Sequence, residues 1–222
     1  MTLVETFVHP KQKHFNGNIK PWGYDLDKAR QLLDEAGWKD TDGDGYRDKM
    51  INGEKVKLTL DFKIPAGNKT REDIGLLIQE DLKRVGIALS ITSREGSVYM
   101  QDMDKRDFEI SYAQFSMDPV MADPKQMWST TEATVGGSNI CGFGTEATDK
   151  LIDNLRAEMN DEKRIAMYKD LQQVIHDEIP CVFMFIPVNR QAIPKRFDVQ
   201  ETLLAPGVLY NEFKVVSAGA AN

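Results

Sequence analysis

Residues 56–91 read VKLTLDFKIPAGNKTREDIGLLIQEDLKRVGIALSI. Val56, Leu58, Leu60 and Phe62 alternate with polar residues, the two-residue period of a half-buried strand. Thr70-Arg71-Glu72-Asp73 then forms a capping-box-like helix start, with the shorter Asp where Glu or Gln is usual. The helix it opens places Ile74, Leu77, Ile78, Leu82 and Val85 on one face, and Gly86 ends it. A second alternation, Ile87, Leu89 and Ile91, predicts another strand. Strand, helix and strand with short connections make a βαβ unit, whose two strands run parallel. The chain is therefore read as α/β.

Working outward, Asp25 caps a helix with Leu26, Ala29, Leu32, Leu33 and Ala36 on its apolar face, and Gly37 stands where a left-handed residue ends it. The first 20 residues show no period and read as an irregular lead-in. Downstream, a helix is predicted from Ser97 to about Lys105. Phe108, Ile110 and Tyr112 follow as a third strand running out into Phe115. Residues 116–144 are loop-rich, and a loop of that length in a compact domain is usually functional. Two helices come next, one carrying Leu151, Ile152, Leu155 and Met159, the other Ile165, Tyr168, Leu171 and Ile175, closed by Pro180. The apolar run Cys181–Ile186 predicts a central strand buried on both faces. These elements place the α/β domain at 21–190, with 191–222 as a C-terminal segment of weak β character.

The chain has 222 residues, 28 Lys+Arg against 35 Asp+Glu, and a formal net charge of −7. That balance argues against a nucleic-acid partner, which needs clustered positive charge, and no polybasic block exists to hold anionic lipid. No apolar run approaches the roughly 20 residues that span a bilayer. Met1-Thr2-Leu3-Val4-Glu5 has neither the basic nor the apolar region of a secretory signal. Cys141 and Cys181 are too few for a disulfide framework or a thiolate zinc site, and their pairing stays open at this level.

Most enzyme signatures are missing: no G-x-S-x-G, Walker loop, dinucleotide fingerprint or H-E-x-x-H is present. His9, His14 and His176 are not spaced as metal ligands and read as structural or solvated. One local motif is sharp. Asp40-Thr41-Asp42-Gly43-Asp44-Gly45-Tyr46-Arg47-Asp48 matches the front of a calcium loop. Asp40, Asp42 and Asp44 take positions one, three and five, Tyr46 offers a backbone carbonyl, and Asp48 falls at nine. Position twelve is Ile51, so the bidentate Glu is absent. The alternative is a turn that tolerates Asp and Gly for backbone reasons alone. No cofactor is required by the sequence; calcium at this loop is the one candidate.

The stretch Tyr24-Asp25-Leu26-Asp27-Lys28-Ala29-Arg30-Gln31-Leu32-Leu33-Asp34-Glu35-Ala36-Gly37-Trp38, running into the Asp-Gly loop, resembles extracellular solute-binding proteins of family 5. These are the dipeptide- and oligopeptide-binding components of ABC transporters. Gly137-Ser138-Asn139 with Gly142-Phe143-Gly144, the segments at 148–153 and 164–172, and Ile179-Pro180 resemble the same family in the same order. The resemblance implies a periplasmic-binding-protein-like lobe of the type II, peptide-binding class, with a mixed sheet, a βαβ unit and flanking helices. Family members are bilobed and about twice this length or more. The chain then corresponds to their second lobe, and 191–222 to the return toward the first. The implied function is capture of peptides or similar small solutes outside the cell membrane and delivery to a permease, without catalysis. The implied location is periplasmic or extracytoplasmic, with a lipid anchor on an N-terminal part outside this sequence. Partners implied are the solute, the first lobe and the permease.

Ligands of open α/β sheets lie outside the carboxyl ends of the strands. The third strand opens there into Ser116-Met117-Asp118-Pro119. The family's Trp-x-x-Asp-x-x-Asp-Pro pattern puts Phe115 in the Trp place and Asp118 in that of the Asp that pairs a peptide ammonium. Asp118 and Asp123-Pro124 are two residues further apart than in that pattern. Asn139 is the third ligand-binding candidate, through hydrogen bonds to ligand backbone. Two other classes stay open: a calcium-stabilised extracellular interaction module, and, more weakly, a hydrolase built on paired carboxylates.

Overall fold

The structure, a computed structural model, describes residues 2–115, 123–186, 192–202 and 207–216. In chain order the main elements are β1 (Thr2–Leu3), α1 (Leu26–Glu35), β2 (Asp48–Ile51), β3 (Glu54–Lys57), β4 (Thr59–Pro65), α2 (Lys69–Lys83), β5 (Ala88–Arg94) and α3 (Gly96–Lys105). They continue with β6 (Ile110–Ser111), α4 (Lys125–Trp128), α5 (Glu146–Ala157), α6 (Asp161–Glu178), β7 (Phe185–Ile186), β8 (Phe197–Asp198) and β9 (Lys214–Val215). The chain forms two compact units, one from residues 22–115 and 134–140, the other from 1–21, 116–133 and 141–222. The span 21–190, read from sequence as one α/β domain, is divided between them.

The first unit holds the βαβ arrangement. β4 is central, paired in parallel with β5 from Thr59↔Ala88 to Pro65↔Arg94, and with β6 through Phe62↔Ile110 and Lys63↔Ser111. This sheet is parallel throughout; the antiparallel pairings expected of a mixed sheet occur as separate ribbons, such as β2 with β3. Phe62, Ile64 and Leu89 form its core, with Leu60, Ile78, Leu82, Ile91, Ile110 and Tyr112 packed around them. Parallel strands inside a βαβ unit are shielded on their faces by helices, which is why β4 buries Phe62, Lys63 and Ile64 in succession.

Three details differ from the sequence reading. The alternation starting at Val56 is two elements: Val56 belongs to β3 of a hairpin, and β4 begins at Thr59. The α2 cap is Asn68, whose Oδ1 accepts from Arg71 N at 3.2 Å, two residues before the expected Thr70. Leu77 is 68% exposed, because the inward face of α2 runs through Ile74, Gly75, Ile78 and Leu82. The α1 reading agrees with the structure: Asp25 accepts from Lys28 N at 2.9 Å, and Gly37 takes φ +84°.

The second unit packs Phe7, Val8, Trp128, Phe143, Ile152, Leu155, Tyr168, Leu171 and Ile175 into one core. α5 starts at a reciprocal Thr145–Thr148 capping box, and α6 at Asn160, which accepts from Lys163 N at 3.0 Å. Residues 1–20 have little regular structure, as read, yet they are not peripheral. Phe7 and Val8 lie in the core, and Gln172 of α6 fastens the segment from within. Gln172 is fully buried; its Oε1 accepts from Thr6 Oγ1 and Asn16 N, both at 3.1 Å, and its Nε2 donates to His14 O at 2.7 Å. The run after Pro180 is not a strand buried on both faces. Only Phe185–Ile186 pairs, antiparallel with β1, and Val182 is 79% exposed while Cys181 and Phe183 turn to the core. Met159 lies in the α5–α6 connection and is exposed.

Candidate functional site

The carboxyl ends of β4, β5 and β6 share one edge of the parallel sheet, at Pro65, Arg94 and Ser111. Two helices start just beyond it, α2 after Asn68 and α3 after Glu95, whose carboxylate accepts from Ser97 N at 3.0 Å. The polypeptide leaves β6 through Tyr112 toward Phe115. The Arg71 guanidinium, in the first turn of α2, lies 5.1 Å from the Tyr112 ring centroid. The Tyr99 hydroxyl, from α3, is 2.7 Å from Ser111 Oγ and also donates to Tyr112 O, and burial pushes its pKa up. The exit from β6 is thereby held on both sides.

Beneath this edge Lys63 sits in the sheet, its ammonium 3.2 Å from Asp102 and 3.1 Å from Asp107. Arg94 Nε adds a contact of 3.3 Å to Asp102. Burial works against the Lys63 charge, but hydrogen bonds to Asp107 and Asp102 outweigh it and hold its pKa above the ordinary range. The group is a fixed cation within an ion network, not a proton donor.

Of the sequence-predicted ligand residues, Phe115 is 47% exposed beyond the end of β6. Asp118 lies outside the described residues. Asn139 is 0% exposed, and its carbonyl oxygen accepts from Arg106. Arg106 itself is the left-handed C-cap of α3, at φ 57°, and donates also to Thr134 O and Ile140 O, each at 3.3 Å. Gly136 N donates to Asp104 O at 3.0 Å. Residues 134–140 are therefore laced onto the end of α3 through backbone atoms. As site residues, Arg71, Tyr112 and Arg106 escaped the sequence reading. For Tyr112 the available signal was its position directly after a strand of a parallel sheet, and for Arg71 its place in the first turn of the helix that follows one.

The Asp-Gly loop precedes β2. Asp40 accepts from Gly43 N at 2.7 Å and Gly45 N at 3.0 Å, and Asp44 from Tyr46 N at 2.9 Å. Asp48, buried, accepts from Thr41 Oγ1 at 2.7 Å and Thr41 N at 3.1 Å. Asp40, Asp42 and Asp48 bring one carboxylate oxygen each within 4.8 Å of one another. Asp44 turns away to Lys57, and the backbone N–H of Tyr46 is engaged by Asp44. Lys55, from β3, reaches into the cluster, 2.8 Å from Asp42 and 3.2 Å from Asp48. Its hydrogen bond lowers the Asp42 pKa, as that of Lys57 does for Asp44. The ammonium groups of the β2–β3 hairpin thus supply positive charge where a cation would.

A parallel sheet of three strands, with two helices starting just beyond its carboxyl edge, is the α/β arrangement on which the comparisons with known proteins bear. The chain belongs to the bacterial extracellular solute-binding proteins, family 5, whose middle-region model matches residues 2–138. It is similar to the oligopeptide-binding protein AppA of Bacillus subtilis, 32% identical over 184 residues, which cover 82% of this chain and 33% of AppA. The structure of that protein in complex with a nonapeptide superposes with a TM-score of 0.76 at 28% identity, over 83% of this chain and 36% of that one. The oligopeptide-binding protein of Thermus thermophilus complexed with pentapeptide gives a TM-score of 0.71 at 27% identity, over 82% and 33%. The nickel-binding periplasmic protein of Escherichia coli is 27% identical over 192 residues, 84% of this chain and 34% of that protein. The chain thus spans about a third of the length of the relatives it matches. Among the described residues no helix is long and apolar enough to cross a membrane.

Proposed function

We propose that this chain contributes one part of a peptide-capture protein working outside the cell membrane, which hands its solute to an ABC transporter permease and performs no catalysis. The observation that carries this reading is the family match over a parallel sheet whose strand β6 is followed, in the sequence, by Phe115 and then Asp118. Asp118 pairs the ammonium of the peptide, a charge-assisted hydrogen bond of roughly twice neutral strength. Phe115, half exposed and three residues earlier in the sequence, offers an apolar surface to the solute. Asn139, the third candidate, is completely buried and its backbone carbonyl accepts from Arg106, which fastens residues 134–140 to the end of α3. Lipid anchoring belongs to the same reading of the whole protein.

The relatives are about three times longer, so the cleft that buries a peptide needs more than this chain supplies. Titration calorimetry with short peptides, free and N-acetylated, tests the proposal. Free peptides are expected to bind no tighter than about 100 μM, and Asp118→Asn or acetylation to weaken binding further. Submicromolar binding would contradict the shared cleft. Equal binding of acetylated and free peptides would remove Asp118 from its role.

A further inference from the structure

Neither cysteine takes part in the reading above, yet the fold brings them together. Cys141 precedes the start of α5 by five residues, and Cys181 follows the end of α6 by three. The two helices pack together through a connection of only three residues, 158–160, so the start of α5 and the end of α6 lie at the same end of the hairpin. There Cys181 packs on the core that holds Phe143, two residues from Cys141, and its side chain interacts with that of Cys141. Cys141 is exposed; Cys181 is partly buried and packs on the aromatic core.

We propose that Cys141 and Cys181 are a disulfide-forming pair, a reversible covalent clasp across the open end of the α5–α6 hairpin. The oxidant is a small or protein disulfide, of which oxidised glutathione is the simplest. The Cys141 thiolate attacks one sulfur of that disulfide, whose S–S bond breaks and releases one glutathione thiolate. The Cys181 thiolate then attacks the Cys141 sulfur of the mixed disulfide, and the second glutathione thiolate leaves. Two thiol protons are released and two electrons pass to the oxidant, which is reduced to two thiols. The order follows from exposure. Exposed Cys141 meets the oxidant first; Cys181, partly buried and with its thiol pushed up by Cys141 and by burial, loses its proton and attacks after Cys141 has entered the mixed disulfide. Extracytoplasmic compartments, where this family works, favour the oxidised form.

The test treats the purified full chain with oxidised glutathione, then denatures, alkylates and maps it by mass spectrometry. The expected product is one linked pair of peptides containing Cys141 and Cys181, neither alkylated, with an intact mass lower by two hydrogens. The melting temperature should rise by about 5–10 °C over the reduced chain and return on reduction. Cys181→Ser should stop at the glutathione adduct of Cys141, and Cys141→Ser should remain largely unmodified. Alkylation of both cysteines after oxidation, disulfide-linked dimers through Cys141, or a linked pair with no gain in melting temperature would each overturn the clasp.

Discussion

At the scale of single residues, Gln172 ties the N-terminal segment to α6 from within the core of the second unit. Its amide satisfies Thr6, Asn16 and His14, three polar groups that burial would otherwise strand. Gln172→Ala is expected to destabilise the chain by about 2–4 kcal/mol, seen as a lower urea midpoint at unchanged slope. A Gln172→Leu variant as stable as the parent would show that the hydrogen bonds are dispensable. His14, buried against the Tyr168 ring at 4.5 Å, makes a pH prediction. Burial, then the Lys13 charge, lowers its pKa below the ordinary 6.5. The unfolded chain regains the ordinary value, so it binds the proton first as pH falls. Stability from neutral His14 is therefore complete above 6.5 and declines as the pH drops from there toward the lowered folded value. Melting temperatures at about pH 7.5 and about pH 5.5 should differ in that direction, and His14→Phe should flatten the difference.

At the scale of elements, the helices were the most legible. Amphipathic spacing located α5 and α6, and spacing together with a cap located α1, because both signals are local. The α2 start was misplaced by two residues because Asn68 and Thr70 are both good caps, and only the backbone at Asn68 is extended. Strands were less legible. The alternation at 56–62 hides a break at Leu58, since a hairpin strand and a sheet strand share the two-residue period. The Cys181–Ile186 run looked central by its composition, yet its burial depends on a partner, β1, that lies at the far end of the sequence. At the site, position after a strand was readable, whereas the lacing by Arg106 depends on a left-handed backbone that no residue type announced. The Asp-Gly loop was readable as an acidic turn but not its lysines, which arrive from β3. If calcium competes with Lys55 there, about 1 mM calcium should raise the melting temperature slightly in the parent and more in Lys55→Ala, and chelation should reverse both. No shift in either chain would leave the loop a hydrogen-bonded turn held by ammonium groups.

At the scale of the whole molecule, the chain spans about a third of the length of the relatives it matches, and under the proposed function that sets the expectation of weak solute binding. Intrinsic tryptophan fluorescence with saturating peptide gives an independent check: a small, shallow response is expected, and a sharp saturating one would show a complete pocket. The fastening of residues 2–16 to α6 and β7 has a further consequence, for the timing of assembly. Its hydrogen bonds close loops of 156 to 166 residues, whereas the strands of β4 and β5 meet across fewer than 40. On a chain emerging from the ribosome, the parallel sheet has all its parts long before Gln172 is made. Phe7 and Val8 must wait through that interval without their core. Residues 2–16 are thus made well before the helix that buries them, and this segment is one a holding chaperone would have to cover in the interval.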